Sequence, residues 1–309
     1  MADSFKGTVI RSTGMWYEIL GENKQVFKGR LRGKHKLKDL KINNPIAVGD
    51  SVIFEPEISA DSVSITEILP RENYILRKSV HKTGHCHMIA ANIDQAVLIA
   101  TITFPRTSTG FIDRFLVSAE AFRIPSVIVF NKSDLLDKEL LDYQHQLADM
   151  YQSIGYTCLH TSVKLRQGTE EFKKLLTGKT SLLSGHSGVG KSSLINEITG
   201  MTLKTAEVSV FANKGKHTTT FAEMFEIAPE TYIIDTPGIK ELGLAEIENK
   251  DLAHYFPEMR NLLGECKFHN CRHINEPGCA VRDRVDEGEL PVIRYESYKS
   301  MLEDYDSYR

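Results

Sequence analysis

The glycine-rich octapeptide Gly185-His186-Ser187-Gly188-Val189-Gly190-Lys191-Ser192 comes after the tetrapeptide Asn131-Lys132-Ser133-Asp134 rather than before it. Each follows a short apolar run of the kind that forms a buried strand: Thr180-Ser181-Leu182-Leu183-Ser184 for the first and Ser126-Val127-Ile128-Val129-Phe130 for the second. In the usual order of such loops the glycine-rich one leads. Inverting the order leaves few folds open. The loops can still meet if their strands share one edge of a parallel sheet, because meeting depends on the spatial order of strands and not on their order along the chain.

The residue types state what the loops can bind. Gly185 and Gly190 let successive backbone N–H groups converge on phosphate oxygens, Lys191 adds charge, and Ser192 offers a hydroxyl to magnesium. Ser193-Leu194-Ile195-Asn196-Glu197-Ile198 continues as a helix whose N-terminus faces the anion. The carboxylate of Asp134 can accept hydrogen bonds from N1 and N2 of guanine, whereas adenine presents a different donor pattern, so the wrong base leaves polar groups unpaired. Thr161-Ser162-Val163, after the strand-like Tyr156-Thr157-Cys158-Leu159-His160, stands where a loop would cover the base. A backbone N–H there would serve the guanine O6 whatever the side chain of Val163.

Two further segments belong to the same chemistry. Asp235-Thr236-Pro237-Gly238 follows the apolar run Tyr232-Ile233-Ile234, so Asp235 can hold magnesium through water and the Gly238 N–H can sense a γ-phosphate. Lys214-Gly215-Lys216-His217-Thr218-Thr219-Thr220 lies at a distance from the phosphate-loop helix suited to a switch segment. Thr219 is the expected magnesium ligand there, and Thr218 is an alternative that sequence does not separate from it.

The flanks differ in character from this centre. Five glycine-punctuated strand patterns within residues 1–70 suit a small Greek-key barrel of the oligonucleotide-binding type. Between Lys24 and Lys41, eight Lys/Arg residues face one acid, Asp39, and Arg30, Arg32, Lys34 and Lys36 form the centre of that run. Such a loop is a footprint for a nucleic-acid backbone, although a solvated charged loop has the same composition. Trp16, Tyr17 and Phe27 are expected in the barrel core rather than stacked on bases. Strands alternating with helical stretches Phe111–Phe122, Lys138–Ile154 and Glu170–Leu176 imply a mostly parallel sheet over residues 71–242. His81-Lys82-Thr83-Gly84-His85-Cys86-His87 is expected to be a polar loop, since no second ligand pair accompanies it.

Residues 243–309 carry Cys266, Cys271, His273 and Cys279 in a C-x4-C-x-H-x5-C spacing, with Pro277-Gly278 to turn the last ligand round. Three thiolates and an imidazole suit a closed, structural zinc site in a mostly helical domain. Reduced cysteines without metal are the alternative. The whole chain of 309 residues has five cysteines and a net charge of −3, which favour a reducing cytoplasm and deny any global nucleic-acid signal. Neither a signal peptide nor an apolar run of the roughly 18 residues that would span a bilayer is evident.

Together these motifs resemble the circularly permuted branch of the translation-factor-related GTPases, and with its flanks the chain resembles the ribosome small-subunit-dependent GTPase A family over nearly all its length. The resemblance implies an N-terminal barrel, a permuted P-loop GTPase domain and a zinc-bearing C-terminal domain. It also implies hydrolysis of GTP to GDP with magnesium, and action in late maturation of the small ribosomal subunit through contact with its rRNA, by a cytoplasmic monomer. Ile239 stands where many GTPases keep a water-orienting glutamine. The resemblance transfers that role to His217, alongside Lys191 as the charge stabiliser; packing or RNA contact is the other role open to His217. The competing function is an RNA-binding scaffold whose nucleotide site switches without appreciable turnover.

Overall fold

The computed structural model describes residues 4–32, 45–57, 62–78, 86–200, 222–235 and 247–307. Strands β1 (Phe5–Ser12), β2 (Tyr17–Gly21), β3 (Val26–Leu31), β4 (Ser51–Pro56) and β5 (Val63–Ile68) close on themselves in the order 1-2-3-5-4-1. All the pairings are antiparallel except β3 with β5, which is parallel. This is the closure of an oligonucleotide-binding barrel. Alternation drives it: along β4, Val52 and Phe54 point inward to Val9, Ile19 and Ile65 while their neighbours face out. Tyr17 is buried and Phe27 packs on the same core, as expected, but Trp16 does not. Adjacent residues on an extended chain face opposite ways, so an inward Tyr17 turns Trp16 outward. Its ring lies half-buried beneath the Lys28 ammonium at 5.0 Å and the Arg30 guanidinium at 6.0 Å.

A hairpin of β6 (Tyr74–Lys78) and β7 (Cys86–Ala91) follows the barrel. Cys86 and His87 therefore belong to a strand and not to the polar loop that their composition suggests, while His81 to His85 lie outside the described residues. Strand propensity is set by the apolar run Met88-Ile89-Ala90-Ala91, which continues the register back to Cys86. The barrel is latched to this junction by Arg71, whose Nε and Nη2 donate to the buried carboxylate of Asp50 at 2.6 and 2.7 Å.

The central sheet comprises β8 (Gln95–Ala100), β9 (Ser126–Asn131), β10 (Thr157–Thr161), β11 (Thr180–Ser184), β12 (Glu223–Ala228) and β13 (Thr231–Asp235), ordered 10-9-8-11-13-12. All neighbours are parallel except β12 with β13. Period-two burial splits its apolar residues between two layers. Leu98, Ile128, Phe130, Leu182 and Ile234 pack under α1 (Thr109–Ala121) and α2 (Lys138–Ile154), whereas Val97, Val127, Val129, Leu183 and Ile233 pack under α3 (Thr169–Leu176) and α4 (Lys191–Thr199). Helix starts follow from capping: the side chains of Ser108 and Asp137 accept from the N–H groups of Phe111 and Leu140. Barrel and sheet join where β1 pairs with β12 at Arg11 and Glu223.

The C-terminal region is helical, with α5 (Pro257–Arg260), α6 (Ala280–Asp286) and α7 (Val292–Ser307). It packs on Val117 of α1 through Phe256, Val281, Tyr298 and Leu302. At its centre Arg294 is wholly buried. Its Nη1 donates to Asp113 of α1 and its Nε to Glu258, each at 2.6 Å, and its guanidinium lies 4.6 Å from the Phe256 ring centroid. Burial works against the charge, but the two carboxylates outweigh it and raise the guanidinium above the usual arginine range. Removing Asp113 breaks a buried charge-assisted hydrogen bond and leaves Glu258 as the carboxylate partner of the guanidinium. Asp113→Ala should therefore cost about 1.5–3 kcal/mol, read as a lowered midpoint in urea unfolding followed by far-UV circular dichroism; an unchanged midpoint would refute the anchor.

Candidate nucleotide and metal sites

The C-terminal ends of β8, β9, β10 and β11 place their following loops along one edge of the sheet, the edge at which the parallel strand β13 also ends. Gly185, with φ 140°, leaves β11 where an added Cβ would lie 2.3 Å from the Ile99 carbonyl oxygen. Gly190, φ 97°, initiates α4. Between them the loop doubles back. The Lys191 ammonium donates to the Gly185 and His186 carbonyls at 2.7 and 3.0 Å, spanning the mouth where phosphate oxygens would compete for it. Ser192 sits half-buried in the first turn of α4, followed by Ser193.

The second loop is bound directly to the first. Asn131 Nδ2 donates to the Val189 carbonyl at 2.8 Å, and Asn131 Oδ1 accepts from Thr161 Oγ1 at 3.0 Å. Lys132, left-handed at φ 63°, sends its ammonium to the Phe104 carbonyl at 2.9 Å. Ser133 Oγ donates to the Thr161 carbonyl, and Ser162 Oγ donates to Asp134 Oδ1 at 2.6 Å. Ser162 thereby fixes one oxygen of the carboxylate and orients the other. Its own loop is closed by reciprocal backbone bonds with Gln167, with Val163 packed on the apolar layer below. The Asn131-Lys132-Ser133-Asp134 and Thr161-Ser162-Val163 segments and the octapeptide are thus one hydrogen-bonded body.

Asp235 ends β13 opposite Leu183 of β11, the strand that leads into the octapeptide. His217, Thr219 and Gly238 lie outside the described residues, as do Lys34 and Lys36. Of the basic run, Arg30 is paired with Glu57 at 3.2 Å, Arg32 with Glu55 at 3.3 Å and Lys24 with Glu226 at 2.8 Å. The local charge is accordingly smaller than a residue count implies. Motif reading also missed the packing of the octapeptide against α1 and the loop before it: the His186 and Phe111 rings lie 4.1 Å apart, and Pro105 Cδ is 3.5 Å from the Cβ position of Gly188. Pairwise packing of this kind has no spacing signature.

Cys266, Cys271, His273 and Cys279 converge, with their ligand atoms all within 4.8 Å of one another. His273 Nδ1 is 3.6 Å from Cys266 Sγ and 3.4 Å from Cys279 Sγ. Ligands about 2.3 Å from a tetrahedral zinc would stand about 3.8 Å apart, so the cluster fits such an ion. Burial lowers the His273 pKa, leaving a neutral imidazole, and pushes the Cys271 thiol up to about 12. A dication among the sulfurs is what would hold them as thiolates. The knuckle is braced from α7, where Tyr295 and Tyr298 hydroxyls donate to the His273 and Arg272 carbonyls, and by Glu276, whose carboxylate accepts from three backbone N–H groups of the same loop.

Comparison with known proteins decides what this edge of the sheet is for. A model of the RsgA GTPase matches residues 68–245, and one of the RsgA N-terminal domain matches residues 6–63. The chain belongs to the RsgA GTPase family. It is 51% identical to the small ribosomal subunit biogenesis GTPase RsgA of Cytophaga hutchinsonii, covering 98% of this chain and 100% of that protein. The protein of the same name from Bacteroides fragilis strain YCH46 is 47% identical, covering 97% and 96%. Among solved structures, YjeQ from Thermotoga maritima aligns with a TM-score of 0.78 at 34% identity, covering 98% of each chain. YloQ, described as a circularly permuted GTPase, aligns at 0.74 and 29%, covering 99% and 96%. RsgA membership makes the chain a GTP hydrolase with the permuted topology seen in the sheet. Among the described residues no helix is long and apolar enough to cross a membrane.

Gly190 offers the sharpest test of the loop geometry. A Cβ there would lie 2.4 Å from Asn131 Nδ2, at a backbone angle that L side chains rarely adopt. Gly190→Ala should weaken binding of a fluorescent guanine nucleotide at least about tenfold by breaking the Asn131–Val189 link, a loss of at least about 1.4 kcal/mol, while far-UV circular dichroism stays unchanged. Parent-like affinity would mean that the link does not shape the site.

Proposed function

We propose that this chain hydrolyses GTP to GDP and phosphate in the cytoplasm as a late maturation factor of the small ribosomal subunit, and that the subunit stimulates it. The observation that carries this reading is the single hydrogen-bonded body formed by the Asp134 and Lys191 loops, on a chain that matches relatives named small ribosomal subunit biogenesis GTPase over nearly all of their length. The matched spans support an RNA-binding barrel over 1–70, a permuted GTPase domain over 71–242 and a metal-bearing domain over 243–309.

Asn131 and Asp134 select guanine, with Lys132 and Ser133 shaping the pocket and Thr161, Ser162 and Val163 closing it over the base. The N–H groups from Gly185 to Ser193 receive the phosphates, and Lys191 stabilises charge that develops between the β- and γ-phosphoryl groups. Ser192, Asp235 and Thr219 would hold magnesium, which supplies further charge neutralisation. Gly238 senses the γ-phosphate and His217 places the attacking water. Cys266, Cys271, His273 and Cys279 would hold one structural zinc, with no ligand position left for chemistry. Arg30, Arg32, Lys34 and Lys36 meet rRNA phosphates from the barrel.

The deciding experiment is GTP hydrolysis by the purified chain titrated with small subunits, large subunits and free rRNA. Stimulation confined to small subunits is expected, and equal rates in all three titrations would end the proposal. Asp134→Ala should weaken GTP binding by about 2–3 kcal/mol and remove the preference over ATP in competition. His217→Ala should lower stimulated turnover on the order of a hundredfold with nucleotide affinity intact. Elemental analysis should find one zinc per chain, and Cys271→Ser should unfold the C-terminal domain while sparing nucleotide binding; freshly purified protein free of zinc would contradict the metal assignment.

A further inference from the structure

Lys24 sits in the turn between β2 and β3, closed by Gly21 N–H to the Gln25 carbonyl and Lys24 N–H to the Gly21 carbonyl. Its φ is 61°, a left-handed position that favours glycine. Across from it, Glu230 occupies the turn between β12 and β13 at φ 55°, again a glycine-favouring position filled by a charged residue. The two turn tips meet. Lys24 Nζ donates to Glu226 at 2.8 Å, to Glu230 at 3.3 Å and to the Tyr232 hydroxyl at 3.1 Å, so one ammonium from the barrel uses its donors on a single hairpin of the GTPase domain. Glu226 foremost, then Tyr232, holds that ammonium above the usual lysine range. At the other end of the hairpin, Arg11 of β1 pairs with Glu223, which lies directly opposite Asp235 in the register of β12 with β13.

This hairpin joins the segment that ends in Thr218-Thr219-Thr220 to the segment that begins with Asp235-Thr236-Pro237-Gly238. Both flank the nucleotide in the reading given above, so a hairpin gripped at both ends restrains both. We infer that the Lys24 contact is an autoinhibitory clamp, in which the barrel holds the inter-switch hairpin back from its hydrolytic arrangement until RNA phosphates take Lys24 from Glu226 and Glu230. Lys24 is half exposed in the pair, at 51% of its side-chain surface, so a phosphodiester backbone reaching the barrel can compete for it directly. Exchange of carboxylates for phosphates conserves the charge pairing of Lys24 and leaves two like-charged glutamates facing each other, which favours movement of the hairpin. Stimulation by an RNA-bearing particle would then be release of a restraint as well as supply of a group.

The inference rests on the proposed function, and its test separates the two. Basal and small-subunit-stimulated GTP hydrolysis would be compared in the parent, in Lys24→Glu, in the double variant Glu226→Lys/Glu230→Lys, and in the chain carrying all three changes. Hydrogen exchange of residues 222–235 would be followed in the GDP-bound proteins. Lys24→Glu and the double variant should each raise the basal rate about tenfold, lower the fold-stimulation to match, and speed exchange along β12. The triple chain, with its charges re-paired, should return toward the parent in both readouts. A basal rate unchanged or lowered in Lys24→Glu, or a triple chain no closer to the parent than the single variant, would overturn the clamp. Should no chain hydrolyse GTP even with subunits, the proposed function fails, and unchanged exchange in Lys24→Glu would then overturn the clamp independently.

Discussion

The hydrogen bond from Asn131 Nδ2 to the Val189 carbonyl is the contact on which the nucleotide edge depends. It ties the base-reading loop to the phosphate loop through groups that are both buried, so its loss would leave polar atoms unpaired inside the protein. Chain order does not enter into it. The bond requires only that β9 and β11 flank β8 in parallel, with their C-terminal ends at the same edge. A permuted chain meets that condition as well as an unpermuted one, since re-routing connections changes neither strand neighbours nor the alternation that buries them.

What permutation changes is the company each loop keeps. The last strand of the GTPase sheet ends at Asp235, and the hairpin of β12 and β13 stands at the seam with β1 of the barrel. The phosphate loop meets α1 through the His186–Phe111 contact, and α1 carries Asp113 to Arg294 of α7, whose neighbours Tyr295 and Tyr298 brace the cysteine–histidine knuckle. A continuous run of packed and hydrogen-bonded groups therefore leads from the phosphate loop to the candidate metal ligands. A tilt of the C-terminal helices that leaves α1 in place would have to break it. Movement that carries α1 along preserves it.

Much of this was legible because it depends on local chemistry. Glycines at Gly185 and Gly190, the apolar run of β9, the strand patterns of the N-terminal barrel and four ligands at close spacing each declare a structure within a few residues. The rest depends on partners far away in the chain. Lys24 counts as one more cation of a basic loop until Glu226 and Glu230 are found against it, and Arg30 and Arg32 lose their apparent freedom to Glu57 and Glu55 in the same way. Trp16 escaped because a strand pattern shows that faces alternate without saying which face is inward. Arg294 escaped for the opposite reason: arginine in a helix suggests solvent, and only the tertiary fold supplies two carboxylates and an aromatic face in the core.

Magnitude separates the two junctions that flank the GTPase sheet. Taking both carboxylates from Arg294 would strand its charge in the core at a cost of about 3–5 kcal/mol, more than a conformational switch of ordinary coupling energy can set aside. The barrel contact is of another kind. Exposed ion pairs are screened and worth little on their own, so Lys24 can trade partners with a phosphate at small net change in free energy, while Arg71 and the buried Asp50 keep the barrel attached throughout. A protein that must stay assembled while one contact is exchanged needs this division. Its permanent joints lie where water cannot reach them, and its exchangeable joint lies where the partner's charge can.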